Sequence, residues 1–289
     1  MADINAQLVA KLREKSGARM MDCKKALVET QAEAPKGEEA WIAAGETWLR
    51  KQGMEKGGAM AAKAATEGLL GYKVSPDGRT VTVVEMTANT DFAAKNDEFQ
   101  KMLASLVELA DSQKIEAVEA LNQQSLNGTP VADAVKGLAG KIGENISVKR
   151  VVRMEGDIGC YIHFDNKQGA VVELAGVTGE QARAVGKDIA MHIVFAKPNF
   201  LKREEVPAEH VQKETEIIAE KLKSDPKNSK KPAEILQKIA TGQLGKFYAQ
   251  VVLPDQAYYK DGSKTVAQIL KENGGATVKR FARFQVGVI

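Results

Sequence analysis

Along the first 55 residues the apolar positions fall only at helical spacing. Ile4, Leu8 and Leu12 recur every fourth residue until Ser16-Gly17 breaks the run. Met20, Cys23 and Leu27 draw a second stripe, with Met21 pointing away from it. After Pro35-Lys36-Gly37, the positions Trp41, Ala44 and Trp48 draw a third. Three short helices of this kind predict a small bundle over residues 1–55, its core supplied largely by the two tryptophans. The Gly-rich, then Ala/Lys-rich run that opens at Gly53 reads as a linker, taken as residues 56–66.

From Glu67 the period changes to that of strands, and the pattern then repeats. Glu67-Gly68 matches Glu155-Gly156, Gly71 matches Gly159, and Val83-Val84-Glu85 matches Val171-Val172-Glu173, all at a constant spacing of 88 residues. Thr90 matches Thr178 at the same spacing. Each copy predicts a strand, a turn (Pro76-Asp77-Gly78; Asp165-Asn166-Lys167), a second strand and then a helix. The helices follow from Phe99, Met102, Leu103, Leu106 and Ala110, and from Ala182, Val185, Ile189 and Ile193. Thr178 and Gln181 suggest a capping box on the second.

A further strand is expected over Ile146–Met154. Helical runs Glu214–Leu222 and Ala233–Ala240 flank a polar turn, Lys223 to Asn228, which reads as a helical hairpin over about 205–245. Strands are expected again at Phe247–Leu253 and Thr277–Val286, with a Ser263-capped helix between them. The fold class is α+β: a helical module (1–55), a linker (56–66), core subdomain N (67–145) and core subdomain C (146–289) carrying the hairpin.

Composition narrows the chemistry. Lys+Arg 41 against Asp+Glu 38 leaves a net charge of +3, too even for a nucleic-acid field. Two cysteines, Cys23 and Cys160, make neither a disulfide framework nor a four-cysteine zinc site and suit a reducing compartment. No apolar run approaches the roughly 18–20 residues of a membrane span. Met1-Ala2-Asp3-Ile4 lacks the layout of a signal or transit peptide, so the expectation is a soluble cytoplasmic protein. The three histidines, His163, His192 and His210, show no metal-ligand spacing, and no nucleotide-binding glycine loop occurs. No catalytic constellation emerges, and no cofactor or metal is expected.

The copies part company after the shared threonine. The first continues Thr90-Asp91-Phe92-Ala93-Ala94-Lys95-Asn96-Asp97, a loop with Asn96 or Asp97 capping a later helix; the second goes directly into its helix. Phe92 lies outside both the strand and helix stripes. Either it tucks back onto its own core, or it is an exposed aromatic that anchors a partner.

At these residues the chain closely resembles the bacterial elongation factor Ts family. The matches run from Leu12 through Leu27 (Leu-Arg-Glu-Lys-Ser-Gly-Ala-Arg-Met-Met-Asp-Cys-Lys-Lys-Ala-Leu) and from Thr90 through Asp97. They continue at Gly143-Glu144-Asn145-Ile146, Met191-His192-Ile193 and Ser263-Lys264-Thr265-Val266. The resemblance implies a ubiquitin-associated-like N-terminal module, a duplicated core and a helical-hairpin insertion. It also implies a guanine-nucleotide exchange factor, not an enzyme of covalent chemistry, acting on GDP-bound and nucleotide-free elongation factor Tu. By the resemblance, Thr90, Asp91, Phe92 and Ala93 dislodge Mg²⁺ from that GTPase. Arg13, Met20 and Met21 contact its nucleotide-binding domain, and the region of His192 touches its other domains. Ala93 stands where the family often has a larger aliphatic. The hairpin could pair with a second copy, pack on its own core, or serve the partner. Direct nucleic-acid or membrane contact is not expected.

Two other readings make distinct demands. An enzyme using Asp91 and His192 as acid and base needs both in one cleft, within about 2.6–3.2 Å of a transferable proton. An RNA- or ribosome-binding accessory module requires steep salt dependence.

Overall fold

The computed structural model describes residues 4–18, 20–60, 65–224, 228 and 231–288, with backbone alone at 34–35 and 53–60. Helix α1 (Ala6–Ser16) opens under Asn5, whose side chain accepts the Leu8 N–H at 2.8 Å, and closes at Gly17 in the left-handed region, φ +63°. Helix α2 (Met20–Glu29) buries Cys23, Ala26 and Leu27. A 3-10 turn over Gln31–Lys36 leads into α3 (Glu38–Met60). Trp41 is buried and donates its indole N–H to the Leu27 carbonyl at 2.9 Å, whereas Trp48 lies at the rim of the cluster.

Two expectations for this module change. Met20 does not join the apolar stripe: it occupies the first position of α2 and is 54% exposed, because the core is completed by Leu8, Leu12 and Leu27. The run from Gly53 is helical as far as Met60, so the expected linker 56–66 begins as a continuation of α3; residues 61–64 lie outside those described. Met1–Asp3 and Arg19 also lie outside them.

The chain forms two compact units. The first comprises Met1–Lys73, Thr82–Arg153 and Gln285–Ile289; the second comprises Val74–Val81 and Met154–Phe284. In the first, strands β1 (Glu67–Val74) and β2 (Thr80–Ala88) form the expected hairpin. Next come α4 (Asp91–Ala94) and α5 (Asp97–Ser112), then α6 (Val118–Asn122), β3 (Ser125–Leu126), β4 (Thr129–Pro130) and α7 (Val131–Ile142). Strand β5 (Ser147–Glu155) completes a sheet of order β1-β2-β5. One face is covered by Phe99, Leu103, Leu106, Val107 and Ala110 of α5, and α3 packs against α7.

In the second unit β6 (Asp157–Ile162) pairs antiparallel with β7 (Gln168–Ala175), Gly159 opposite Val172, and helix α8 (Gly179–Ala196) packs on them. Ala182, Val185, Ile189 and Ile193 are buried as their spacing predicts. Thr178 is the N-cap residue, but its side chain makes no capping hydrogen bond, so the expected capping box is absent.

The insertion is α9 (Ala208–Ser224) and α10 (Ala233–Val251), packed on each other. Ile218 is the buried residue of α9, and α10 has none among those described. The expected turn falls partly outside the described residues at 225–227. The strand expected at Phe247–Leu253 is instead the end of α10 followed by a 3-10 turn, Leu253–Asp255. A β-branched and aromatic run fits a strand by propensity, but continuation of the helix overrides so weak a preference. The chain then forms β8 (Ala257–Tyr258), β9 (Asp261–Thr265), α11 (Val266–Glu272) and β10 (Thr277–Gln285). Ser263 lies within β9, and the cap of α11 is Thr265, in a reciprocal box with Gln268. The second sheet has order β10-β7-β6, so each copy adds a third strand beside its second.

Candidate partner-contact site

The segment expected as a loop is a single capped helical turn. Thr90 Oγ1 accepts the Ala93 N–H at 3.2 Å, and the backbone closes with Ala94 N–H to Thr90 O at 3.3 Å and Lys95 N–H to Asp91 O at 3.0 Å. Ala93 and Ala94 point into the core of the first unit, 3% and 1% exposed. With those two positions anchored inward, the geometry of one turn throws the side chain of residue 92 outward. Phe92 is 81% exposed. The alternative in which its ring folds back onto its own core does not occur. Asn96 then caps α5, accepting the Glu98 N–H at 2.9 Å, and the acidic Asp97 and Glu98 suit the positive end of that helix.

Around this turn the groups are held. Asp91 pairs with Lys95 at 2.8 Å on the surface. Ala93, expected among the contacting residues, is an inward anchor whose methyl is buried in the core of the first unit. A small side chain there suits the packed position. Glu144, just beyond α7, accepts two hydrogen bonds from Thr90: from the backbone N–H at 3.0 Å and from Oγ1 at 2.7 Å. Beside it, the Asn145 N–H donates to Asn89 Oδ1 at 2.7 Å. Glu144 lies in the Gly143–Ile146 block that carries the family resemblance, but nothing in the local pattern ties it to Thr90, which it meets across 54 residues of chain.

On the N-terminal module Arg13 is exposed on α1, and Met21 is 72% exposed beside Met20. Two neighbouring unbranched thioethers standing in water form an adaptable apolar surface. A cleft of about 250 Å³ in the first unit is lined by Asp22, Trp48, Leu49, Gly137 and Lys141 among others, with no histidine or cysteine.

His192 differs from expectation. Its ring is fully buried in the second unit, with Nδ1 accepting the Tyr259 N–H at 3.3 Å, so that Nε2 carries the proton and donates to Gln256 Oε1 at 3.0 Å. Burial pushes its pKa down, partly offset by the Gln256 hydrogen bond. A ring with both nitrogens engaged and no surface neither touches a partner nor exchanges a proton with a substrate. The acid–base pairing with Asp91 therefore fails on the local surroundings of His192 alone. The large apolar side chain of this helix that reaches solvent is Phe195, whose ring lies 6.2 Å from that of Tyr259. Phe164, at the β6–β7 turn, is also exposed. Both aromatics lie off the apolar stripes, the criterion that singled out Phe92, and it would have found them.

Burial pushes the Cys160 thiol up to about 12, so it stays protonated at neutral pH. No group of three metal-ligating side chains occurs among the described residues, and no helix among them is long and apolar enough to cross a membrane.

The family model for Elongation factor TS matches residues 89–288. Proteins named Elongation factor Ts from Deinococcus deserti and Deinococcus radiodurans are each 40% identical over 280 residues, covering 96% of this chain and 98% of the relative. One from Prosthecochloris aestuarii is 36% identical over 299 residues, covering 99% of this chain and all of the relative. The chain belongs to the elongation factor Ts family, and it is a translation elongation factor.

Proposed function

We propose that this protein is a guanine-nucleotide exchange factor for elongation factor Tu, binding the GDP-bound and nucleotide-free GTPase in the cytoplasm and expelling Mg²⁺ and GDP without covalent chemistry. The observation that carries the reading is the outward Phe92 ring on a turn whose next two residues are buried. An exposed aromatic on a rigid base is a ready anchor, because little conformational freedom is lost when a partner's pocket closes on it.

The mechanism is one of linkage. A GTPase holds GDP partly through a Mg²⁺ that offsets phosphate charge. A factor that prefers the nucleotide-free state weakens GDP by the same factor by which GDP weakens it. Taking GDP from nanomolar to micromolar affinity needs about 4 kcal/mol of coupling. Truncating a packed phenylalanine costs about 3–5 kcal/mol, so one ring seated only in the emptied GTPase supplies most of that. In this reading Thr90 and Ala93 hold the turn, and Asp91 lies nearest the displaced cation. Arg13, Met20 and Met21 grip the nucleotide-binding domain from the 1–55 module. The far contact from subdomain C comes from Phe195 rather than His192.

The test is stopped-flow release of a fluorescent GDP analogue from elongation factor Tu. Phe92→Ala slows release at least about tenfold while the factor stays folded. An unchanged release rate removes the ring from the mechanism.

A further inference from the structure

We propose that Glu144 is the positioning residue that fixes the direction of Phe92. The inference rests on the exchange reading above and adds to it a residue that acts through Thr90. Gly143, at φ +84°, ends α7 with its N–H on the Ala139 carbonyl at 2.8 Å, and the Glu144 N–H shares that acceptor at 3.2 Å. A left-handed residue here turns the chain back across the start of α4. The Glu144 carboxylate then meets both donors of Thr90, backbone and hydroxyl, while Thr90 Oγ1 still accepts from Ala93. Asn145 and Asn89 form the adjacent link.

A four-residue helix is too short to hold itself in water. Its orientation is therefore set by what fastens its first residue and by the two alanines beneath it. Of these, the alanines resist sliding outward, and the two-point carboxylate contact resists rotation of the turn about its own axis. Rotation is the motion that would swing Phe92 sideways. Glu144 thus acts on exchange through the angle at which the ring is offered.

The test uses the full-length chain and elongation factor Tu. Maximal GDP release at saturating factor and the half-saturating concentration are measured for Glu144→Ala, Glu144→Gln, Thr90→Val and Phe92→Ala, and for Glu144→Ala combined with Phe92→Ala. Glu144→Ala lowers the maximal rate by about tenfold, the scale of losing charge-assisted hydrogen bonds. Glu144→Gln stays within about twofold, because its amide accepts the Thr90 N–H and donates to Thr90 Oγ1. Thr90→Val, which keeps the side-chain shape and loses the hydroxyl, falls between. In the Phe92→Ala background Glu144→Ala slows release no further. If Glu144→Ala does not fold, Glu144→Asp, which keeps the charge but shortens the reach to Thr90, takes its place and is expected to fall below Glu144→Gln.

The proposal is overturned if Phe92→Ala slows release while Glu144→Ala, or Glu144→Asp in its place, does not. It is equally overturned if the Glu144→Ala effect is undiminished without the Phe92 ring. An unaffected Phe92→Ala instead strikes the exchange reading itself, and Glu144 loses its role with it.

Discussion

Two residues beyond the shared threonine, the first copy of the repeat carries Phe92 and the second carries Glu180, and both side chains stand in solvent. Four residues beyond it, Ala94 and Ala182 are both buried. The duplicated frame therefore presents one position outward whatever residue occupies it. A carboxylate there is solvated at no cost, whereas a phenyl ring held in water is retained at a free-energy disadvantage. The copies also differ just beyond: Asn96 interrupts the first and restarts a helix, while α8 runs on. The two halves thus differ in the residue at the outward position and in where the helix begins, on a shared scaffold.

The scaffold itself repeats in detail. Gly71 and Gly159 occupy equivalent strand positions where a helix crosses, and a Cβ at Gly159 would fall 2.0 Å from the Gly186 carbonyl carbon. At Gly71 the nearest atoms belong to side chains, Leu103 Cγ at 2.7 Å and Val107 Cγ2 at 2.8 Å. Glu85 and Glu173 are both buried on the second strand and both paired to the third, to Arg150 at 3.1 Å and to Lys279 with Arg280.

The largest effect should separate the two glycines. Gly159→Ala costs about 3 kcal/mol or more in urea unfolding, because backbone cannot yield, and Gly71→Ala about 1 kcal/mol, because side chains can. Equal losses would mean that the two crossings are equally tight. Next, Phe92→Glu, which gives the first copy the residue of the second, slows GDP release at least about tenfold and shifts the unfolding midpoint by under about 2 °C. Glu180→Phe leaves release unchanged; faster release would show that the frame, not the restarted helix, makes the anchor.

The smallest effect concerns the paired carboxylates. Burial pushes the Glu85 carboxyl above its ordinary value of 4.5, against the pull of Arg150. Glu173 is buried too, but hydrogen bonds from Lys279 and Arg280 outweigh that and hold it below 4.5. The stability from Glu173 is present above 4.5 and lost as pH falls through its lowered folded value. That linked to Glu85 is present below 4.5 and lost as pH rises through its raised one. Glu173→Gln therefore destabilises at pH 7 by about 1 kcal/mol, whereas Glu85→Gln is neutral or slightly stabilising. Urea titrations at pH 7 and near pH 4 distinguish them, and the same sign for both would break the contrast.

The sequence by itself determined the duplication, the hairpins, the helix faces of α5 and α8, and the isolation of Phe92 from every apolar stripe. The duplication follows from residues that recur at a constant spacing of 88, and the rest from spacings of two to four residues, which side-chain direction imposes locally. Tertiary structure alone decided which way Phe92 points, because that depends on Ala93 and Ala94 entering a core and on Glu144 meeting Thr90 across 54 residues. It likewise decided that His192 is sealed, since Gln256 and Tyr259 close over it from 64 and 67 residues away. Met20 stands in solvent for the same reason: a stripe says which face turns inward, and only the packed neighbours say where that face ends.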